Sequence, residues 1–338
     1  MPIKAGGGKR RADIDLLRSI GVLAVVLAHC EGLPNKVMQA RNFDVVLMVI
    51  VMAISFVASN GTKAQYPLYV KKRFRRLILP AWIFLLFFFM VYGLIQSCLG
   101  IPAFEMMDYI DSFLMSSGIP GRFGCGYVWI LRVFFTVSIL LPCEFRLTQN
   151  KTTSYSVFLF GAMLIVWGSF SPLLNGTLNN RLCEIIVYGI AYSIIAYYGL
   201  LLEKLNIRQL QRASGIFLLL YVVLAFQNGF ANTQIDKYPP GLYYIAFAFF
   251  VSTLLYIFSK TKIGEIIGKM KVIYWLSQNS YWFYLWHIVS IYLLKINTFH
   301  RLCDNWVTQY LFILSFASIL TIIQNQIKRA FTRLREKR

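Results

Sequence analysis

Lys71-Lys72-Arg73-Phe74-Arg75-Arg76-Leu77-Ile78-Leu79-Pro80 packs five cations into six residues and then turns apolar, and the run from 77 to 97 carries no charge at all. About 20 predominantly apolar residues cross the roughly 30 Å hydrocarbon core of a bilayer, so this stretch reads as a transmembrane helix with a basic flank at one surface. The same alternation extends in both directions. Apolar runs recur near 14–33, 43–59, 77–97, 127–144, 154–170, 182–202, 213–229, 241–259, 273–295 and 306–326. Composition agrees: 58% of the 338 residues are hydrophobic and only 14% charged, with a mean hydropathy of +0.60, whereas a soluble domain has about a quarter of its residues charged. The expected fold is an all-α integral membrane protein, a polytopic bundle of about ten transmembrane helices. Long alternating ten-residue segments are lacking, which argues against a β-barrel. The abundant aromatic residues fit belts at both bilayer surfaces.

Orientation follows from the basic residues. With the N-terminus cytoplasmic, 25 of the 34 Lys and Arg fall on inner segments, chiefly Lys4–Arg11, Lys63–Arg76, Lys260–Lys271 and Lys328–Arg338, and 7 fall on outer ones. That asymmetry places both termini in the cytoplasm. It also accounts for the net charge of +20 without nucleic acid as a partner. The N-terminus resembles a signal peptide, but no small-residue cleavage site follows Ala28-His29-Cys30, so it reads as an uncleaved first span. A single transmembrane domain over 1–338 is expected, with basic tails at 1–13 and 327–338. Ala5-Gly6-Gly7-Gly8-Lys9 lacks phosphate-loop spacing. The outer loop from about 98 to 126, with Glu105, Asp108, Asp111 and the Ile119-Pro120-Gly121 turn, has room for a short surface helix. Six dispersed cysteines show no metal-like spacing and no metal is expected; Cys98 and Cys125 flank that loop, although free thiols are the expectation.

Ionisable groups inside spans are costly, about 2.5–3.5 kcal/mol each on insertion scales, and mark functional candidates. In the run Ile14 to His29, Arg18 and His29 are eleven residues apart, roughly 20° past three full turns of an ideal helix, so both project from one face. The plain alternative pairs Arg18 with Asp15 or lets it snorkel, and makes His29 a packing group. The Lys71–Arg76 cluster is either an anchor for anionic membrane lipid or a polyphosphate site, since adjacent guanidiniums bind phosphate through paired N–H donors. Tyr281, Tyr284 and His287 drift along one face of the ninth span, as an interhelical hydrogen-bond ladder or as catalytic groups.

Together these blocks resemble the acyltransferase-3 family of multi-span membrane acyltransferases. Asp15-Leu16-Leu17-Arg18 with His29 is similar to the family's first-helix motif, Arg73-Phe74-Arg75 with Arg76 and Pro80 to its Arg-x-Arg cluster, and Tyr127-Val128-Trp129 with Leu141-Pro142 to its Trp-Phe-Leu helix. Ser280-Tyr281 through Leu285-Trp286-His287 resembles its Ser-x-x-x-Tyr-Leu-x-His signature. Two departures stand out. Ile54-Ser55-Phe56-Val57 lacks the usual Gly of the second span, and Tyr127 stands where a His is frequent.

The resemblance implies an O-acetyltransferase of the bacterial cytoplasmic (inner) membrane that takes acetyl-CoA, or another acyl-CoA, as donor. The acceptor would be a glycan, an O-antigen or exopolysaccharide, or a lipid-linked sugar. His29 is the candidate base or nucleophile, imidazole being suited to either near neutral pH. Arg18 is its catalytic partner, contacting the donor arm or stabilising charge. Arg73, Arg75 and Arg76 are the implied donor-phosphate ligands, and Asp15, Trp129, Tyr284 and His287 the substrate-binding set. The loop Gln227 to Gly241, rich in aromatic and amide groups, is a further glycan candidate. A polysaccharide or lipid-linked sugar exporter is the rival reading, which leaves the Arg73–Arg76 cluster without a purpose; a purely structural scaffold is a third. The sequence leaves homo-oligomer formation open.

Overall fold

The computed structural model describes residues 10–59, 65–116, 124, 125, 127–174 and 181–336. The Ala5–Lys9 stretch, the Ile119-Pro120-Gly121 turn, and Lys4, Lys63, Arg122, Lys337 and Arg338 lie outside them. The described chain is helical: α1 Ala12–Leu27, α2 Asn35–Ala40, α3 Asp44–Ala58, α4 Tyr66–Leu99, α5 Met106–Phe113, α6 Trp129–Thr148 and α7 Thr153–Phe170, followed by α8 Arg181–Leu202, α9 Ile207–Gln227, α10 Leu242–Ser259, α11 Lys262–Lys269, α12 Lys271–Leu294, α13 Asn297–Leu302 and α14 Trp306–Glu336. Local signals set many ends. Asp13 and Asp15 sit in the first turn of α1, favourable for the helix dipole. Asn206 and Gln209 form a capping box on α9, Glu105 and Asp108 another on α5. Gly100 ends α4 in the left-handed region with φ 66°.

Every predicted span coincides with a helix. Among the described residues, seven helices are long and apolar enough to cross a membrane: α3 together with α2, then α4, α7, α8, α9, α10 and α14. The other three positions hold α1, α6 and α12. α1 has 16 residues, including Asp13, Asp15 and Arg18; α6 carries Arg132, Glu144 and Arg146; and α12 carries Ser277, Gln278, Asn279 and His287. The first helix is shorter than the run drawn from 14 to 33, because the chain turns at Ala28 and His29. α4 is longer than expected. Its 34 residues measure about 51 Å at 1.5 Å per residue, so the Lys71–Arg76 cluster is a helical extension of the span itself. The surface helix expected in the 98–126 loop is α5. Cys30, Cys98, Cys143, Cys183 and Cys303 are free thiols.

α1 is the hub, packed against α3, α10, α11, α12 and α14, while α3 and α6 both pack on α8. The shared core includes Leu17, Val22, Ile50, Phe56, Tyr192 and Phe249. Exposed apolar side chains lie outside this hub, as at Ile83, Leu86 and Met90 on α4, Phe158 and Ile165 on α7, and Leu219 on α9. Such surfaces suit lipid, where helices satisfy their own backbone groups. The ends of the bundle differ. At one, Arg11 pairs with Asp13 and with Glu203 just after α8 (2.6 and 2.7 Å), Lys260 after α10 joins Asp13 at 2.6 Å, and Arg10 bonds the Gly268 carbonyl. At the other, α1 ends where α3, α6 and α10 begin.

α3 and α8 approach closely at Gly199. A Cβ on Gly199 would stand 2.9 Å from both the Ala53 Cβ and the Ile50 carbonyl oxygen. Because the obstacle includes backbone, Gly199→Leu should force the helices apart and lower stability by about 1–3 kcal/mol, with Gly199→Ala milder. Thermal unfolding in detergent reads this directly, and an unchanged midpoint for the Leu variant would contradict the packing.

Candidate active site

Two polar layers run through α1. The first lies in the half nearer Arg10. Asp15 is buried and accepts hydrogen bonds from Arg10 Nε (2.8 Å) and Ser277 Oγ (2.6 Å). Arg18, half-buried, donates to Ser55 Oγ at 2.9 Å and Ser277 Oγ at 3.4 Å. The Arg18–Asp15 pairing is therefore relayed through Ser277 rather than direct. Ser55 belongs to the stretch that departs from the family pattern, and its hydroxyl supplies the Arg18 contact. With only hydroxyl oxygens as hydrogen-bond partners among the described residues, Arg18 keeps a charge available to an anion.

The second layer is at the far end. His29 lies two residues beyond α1, its backbone N–H reaching the Val26 carbonyl at 3.1 Å. Its half-buried ring stacks obliquely on Tyr127, centroids 3.8 Å apart, and stands 5.4 Å from the buried ring of His287. The shared face of Arg18 and His29 is realised as contact with one partner helix. Arg18 meets α12 at Ser277 and His29 meets it at His287, ten residues and about 15 Å further along. The Tyr281, Tyr284, His287 ladder is realised too: Tyr281 donates to the Leu77 carbonyl at 2.6 Å, Tyr284 to the Tyr127 carbonyl, and His287 Nδ1 to the Tyr284 carbonyl. That last bond assigns the proton to Nδ1 and leaves Nε2, buried and unpartnered, as a lone-pair acceptor beside His29.

His29, Tyr127, Trp129 and Tyr284 line a cavity of about 580 Å³, within the range of roughly 300–1,000 Å³ usual for small-molecule sites. Trp129 is buried and meets Tyr238 edge to face at 5.4 Å, so one wall is aromatic. The structure thus gathers His29, Trp129 and Tyr284 around one space, with His287 directly behind His29. Asp15 and Arg18 do not line it. Neither do Arg73, Arg75 and Arg76, which belong to the other end. Arg73 lies over the Tyr69 ring at 5.0 Å, Tyr69 touches Phe56 at 5.7 Å, and Phe56 follows Ser55, the Arg18 partner. Arg75 and Arg76 are exposed. A relay of contacts through Tyr69 and Phe56 thus connects Arg73 to the stretch of α3 that holds Arg18.

Sequence reasoning missed three cavity residues, Arg41, Asp44 and Lys237, each less than 5% exposed. Asp44 Oδ2 accepts from Arg41 Nη1 at 2.6 Å, and its Oδ1 accepts from Lys237 Nζ at 3.2 Å and from the Val45 N–H at 2.8 Å. A signal existed: Asp44 opens an apolar run three residues after Arg41, a helical pair spacing. Burial pushes the Lys237 ammonium down to about 8 against the pull of Asp44.

Removing the shared carboxylate would strand both cations. Asp44→Asn should cost about 3–5 kcal/mol at pH 7. Lys237 titrates lower in the folded protein, at about 8, than in the unfolded chain, at about 10.4. The folded state therefore binds fewer protons across that window, so stability rises with pH there. The deficit of Asp44→Asn should shrink from pH 7 to pH 9, as the lysine charge it strands disappears. Unfolding midpoints of the variant and parent at both values test this; a deficit that is constant or grows would place the stabilisation elsewhere.

A family model described as an acyltransferase domain, that of acyltransferase-3, matches residues 11–323. Searches of curated proteins and of solved structures returned no match. The matched region opens at Arg11, one residue before α1, and closes within α14, so it takes in both polar layers, the guanidinium cluster and the His29 cavity. With nearly the whole chain inside that match, the protein belongs to the acyltransferase-3 family.

Proposed function

We propose that this protein is an O-acetyltransferase of the bacterial cytoplasmic membrane, transferring acetyl from acetyl-CoA to a hydroxyl of a surface polysaccharide or its lipid-linked precursor. In this reading ten helices cross the bilayer and both termini are cytoplasmic, in keeping with the basic-residue asymmetry. The observation that carries it is His29, an imidazole stacked on Tyr127 and backed by His287, in an aromatic-walled cavity of the family's domain. Aromatic faces suit the apolar faces of sugar rings, and a nearby imidazole suits a hydroxyl that must lose its proton.

Arg73, Arg75 and Arg76 would hold the donor phosphates at the basic end, with Arg18 contacting the donor arm. His29 takes the acceptor hydroxyl proton while that oxygen attacks the thioester carbonyl carbon. The C–S bond breaks, the ester C–O bond forms, and the proton ends on the departing thiolate. In the covalent variant of this scheme a His29 nitrogen attacks the thioester carbon first and the C–S bond breaks to release the thiolate; the acceptor oxygen then attacks the acyl carbon, the C–N bond breaks to free the imidazole, and the hydroxyl proton ends on the thiolate. An imidazole acceptor at His287 Nε2 would orient the His29 ring in either case.

His29→Ala should lower acyl transfer by about 10²–10⁴-fold if the residue is a base, with normal protein level and donor binding. Labelled acyl-CoA without acceptor should mark His29 only in the covalent scheme. His287→Ala should cost less, since its role is orientation. Full activity without His29, with loss on removing His287, would move the chemistry to α12. Donor use gives a second test. Arg73→Ala or Arg75→Ala should raise the apparent donor constant by tens of fold, from about 1.5–3 kcal/mol per charge-assisted bond, and Lys should substitute poorly because it lacks the planar fork. Unchanged donor affinity would return the cluster to membrane-lipid anchoring, and transport without donor-dependent acylation would favour the exporter.

A further inference from the structure

The buried trio beside His29 is unbalanced. Arg41 and Lys237 share one carboxylate, Asp44, and all three side chains are almost inaccessible. A structural clip between the start of α3 and the 233–237 turn needs one cation. The second leaves a net positive charge in a low-dielectric place, which is costly unless a counter-charge arrives. Glu31 is the other carboxylate lining the cavity, but it is exposed, where water screens it.

The guanidinium supplies an independent observation. Arg41 uses Nη1 on Asp44, while Nε and Nη2, the edge that grips an oxyanion at two points, face Met38 Sδ at 3.2 and 2.6 Å. Nη2 also reaches Gln234 Oε1 at 3.3 Å. A thioether is a weak acceptor for a charged donor, and methionine is flexible enough to swing aside. Met38 also lines the cavity, so moving it opens the fork toward the space that holds His29. Lys237 lines the same space.

We propose that the acceptor taken by this cavity carries an oxyanion, a carboxylate or a phosphate, gripped by the Nε and Nη2 edge of Arg41 in place of Met38 Sδ and neutralised with Lys237. The inference rests on the acyltransferase reading for the word acceptor, while the anion site itself does not. It narrows the substrate to an acidic sugar unit: a uronic acid within a polysaccharide or a sugar phosphate such as a lipid-linked precursor presents. A bound anion would also hold Lys237 in its charged form, against the burial that otherwise depresses it.

Thermal unfolding of the full-length protein in detergent, titrated at constant ionic strength with glucuronate, glucose 6-phosphate or glucose, tests the site without any donor. Saturable stabilisation by glucuronate, by glucose 6-phosphate or by both is expected, with none by glucose. Glucuronate alone identifies the carboxylate source and glucose 6-phosphate alone the phosphate source. Lys237→Met, which leaves Asp44 paired with Arg41, and Arg41→Lys, which keeps the charge but removes the fork, should each raise the apparent dissociation constant at least about tenfold. Equal stabilisation by glucose, no stabilisation by either oxyanion sugar, or unchanged affinity in both variants would overturn the proposal. So would loss of coenzyme A binding in Arg41→Lys, which would make the cavity a donor site. The comparison of three sugars on the parent protein stands even where a variant fails to fold. Acidic-sugar binding with no acyl transfer to any acceptor would sink the enzymatic reading and leave the anion site intact.

Discussion

The hydrogen bond from Ser277 to Asp15 joins the two helices on which the rest of the bundle is arranged. α1 brings a carboxylate, a guanidinium and a serine into an interior with little water, and α12 answers with the Ser277 hydroxyl and, for Ser19, the Ile273 carbonyl at 3.0 Å. Buried polar groups left alone are expensive, so these bonds set the register of α1 against α12 more strictly than apolar packing does. Once that register is set at Ser277, the helical rise brings His287 level with His29. The arrangement of the imidazoles is in this sense a consequence of a polar contact about 15 Å away along α12.

Charge is handled differently at the two ends of the bundle. At the Arg10 end, cations and carboxylates are partly exposed and interlaced, with Arg11, Asp13, Glu203 and Lys260 tying α1, α8 and α10 together. At the His29 end, Arg41, Asp44 and Lys237 are sealed in. Exposed pairs contribute little each and tolerate change, whereas the sealed trio depends on Asp44, whose loss strands two buried cations. Between them, Arg18 is held by the hydroxyls of Ser55 and Ser277. A cation held in this manner retains its ability to meet a transient anion, the property that acyl transfer asks of a group near a developing oxyanion or a donor phosphate.

The aromatic side chains follow the same division. Phe84, Phe88, Tyr92 and Tyr292 pack α4 against α12 ring upon ring, a structural use. Around the cavity, Tyr127, Trp129, Tyr238 and Tyr284 line one common space. The α4 to α12 rings separate two helices with no room between them, while the cavity rings surround a volume. Residue type alone does not distinguish these roles; the meeting of the α1 end with the starts of α3 and α6 around one space does.

Much of this protein was legible in the order of its residues. Each apolar run became a helix because a chain that cannot hydrogen-bond to lipid must satisfy its backbone internally, and that requirement is local. Arg18, His29 and Arg73 stood out because a polar side chain in or against an apolar run is visible without knowing the neighbours. The end of α1 at Leu27 was not visible, since nothing in Ala28-His29-Cys30 breaks a helix by type and the turn is imposed by what packs there. The same holds for Ser55 and Ser277 as partners of Arg18, 37 and 259 residues away, and for Asp44 with Lys237 across 193. The sequence by itself determined the helices, their membrane character and the residues of the family's motifs, because those depend on composition over a few turns. Only the tertiary structure decided that His29 faces His287, that the guanidinium cluster stays outside the cavity, and that two cations share one carboxylate beside it. Those depend on which distant segments meet, and contacts over such separations have no local signature.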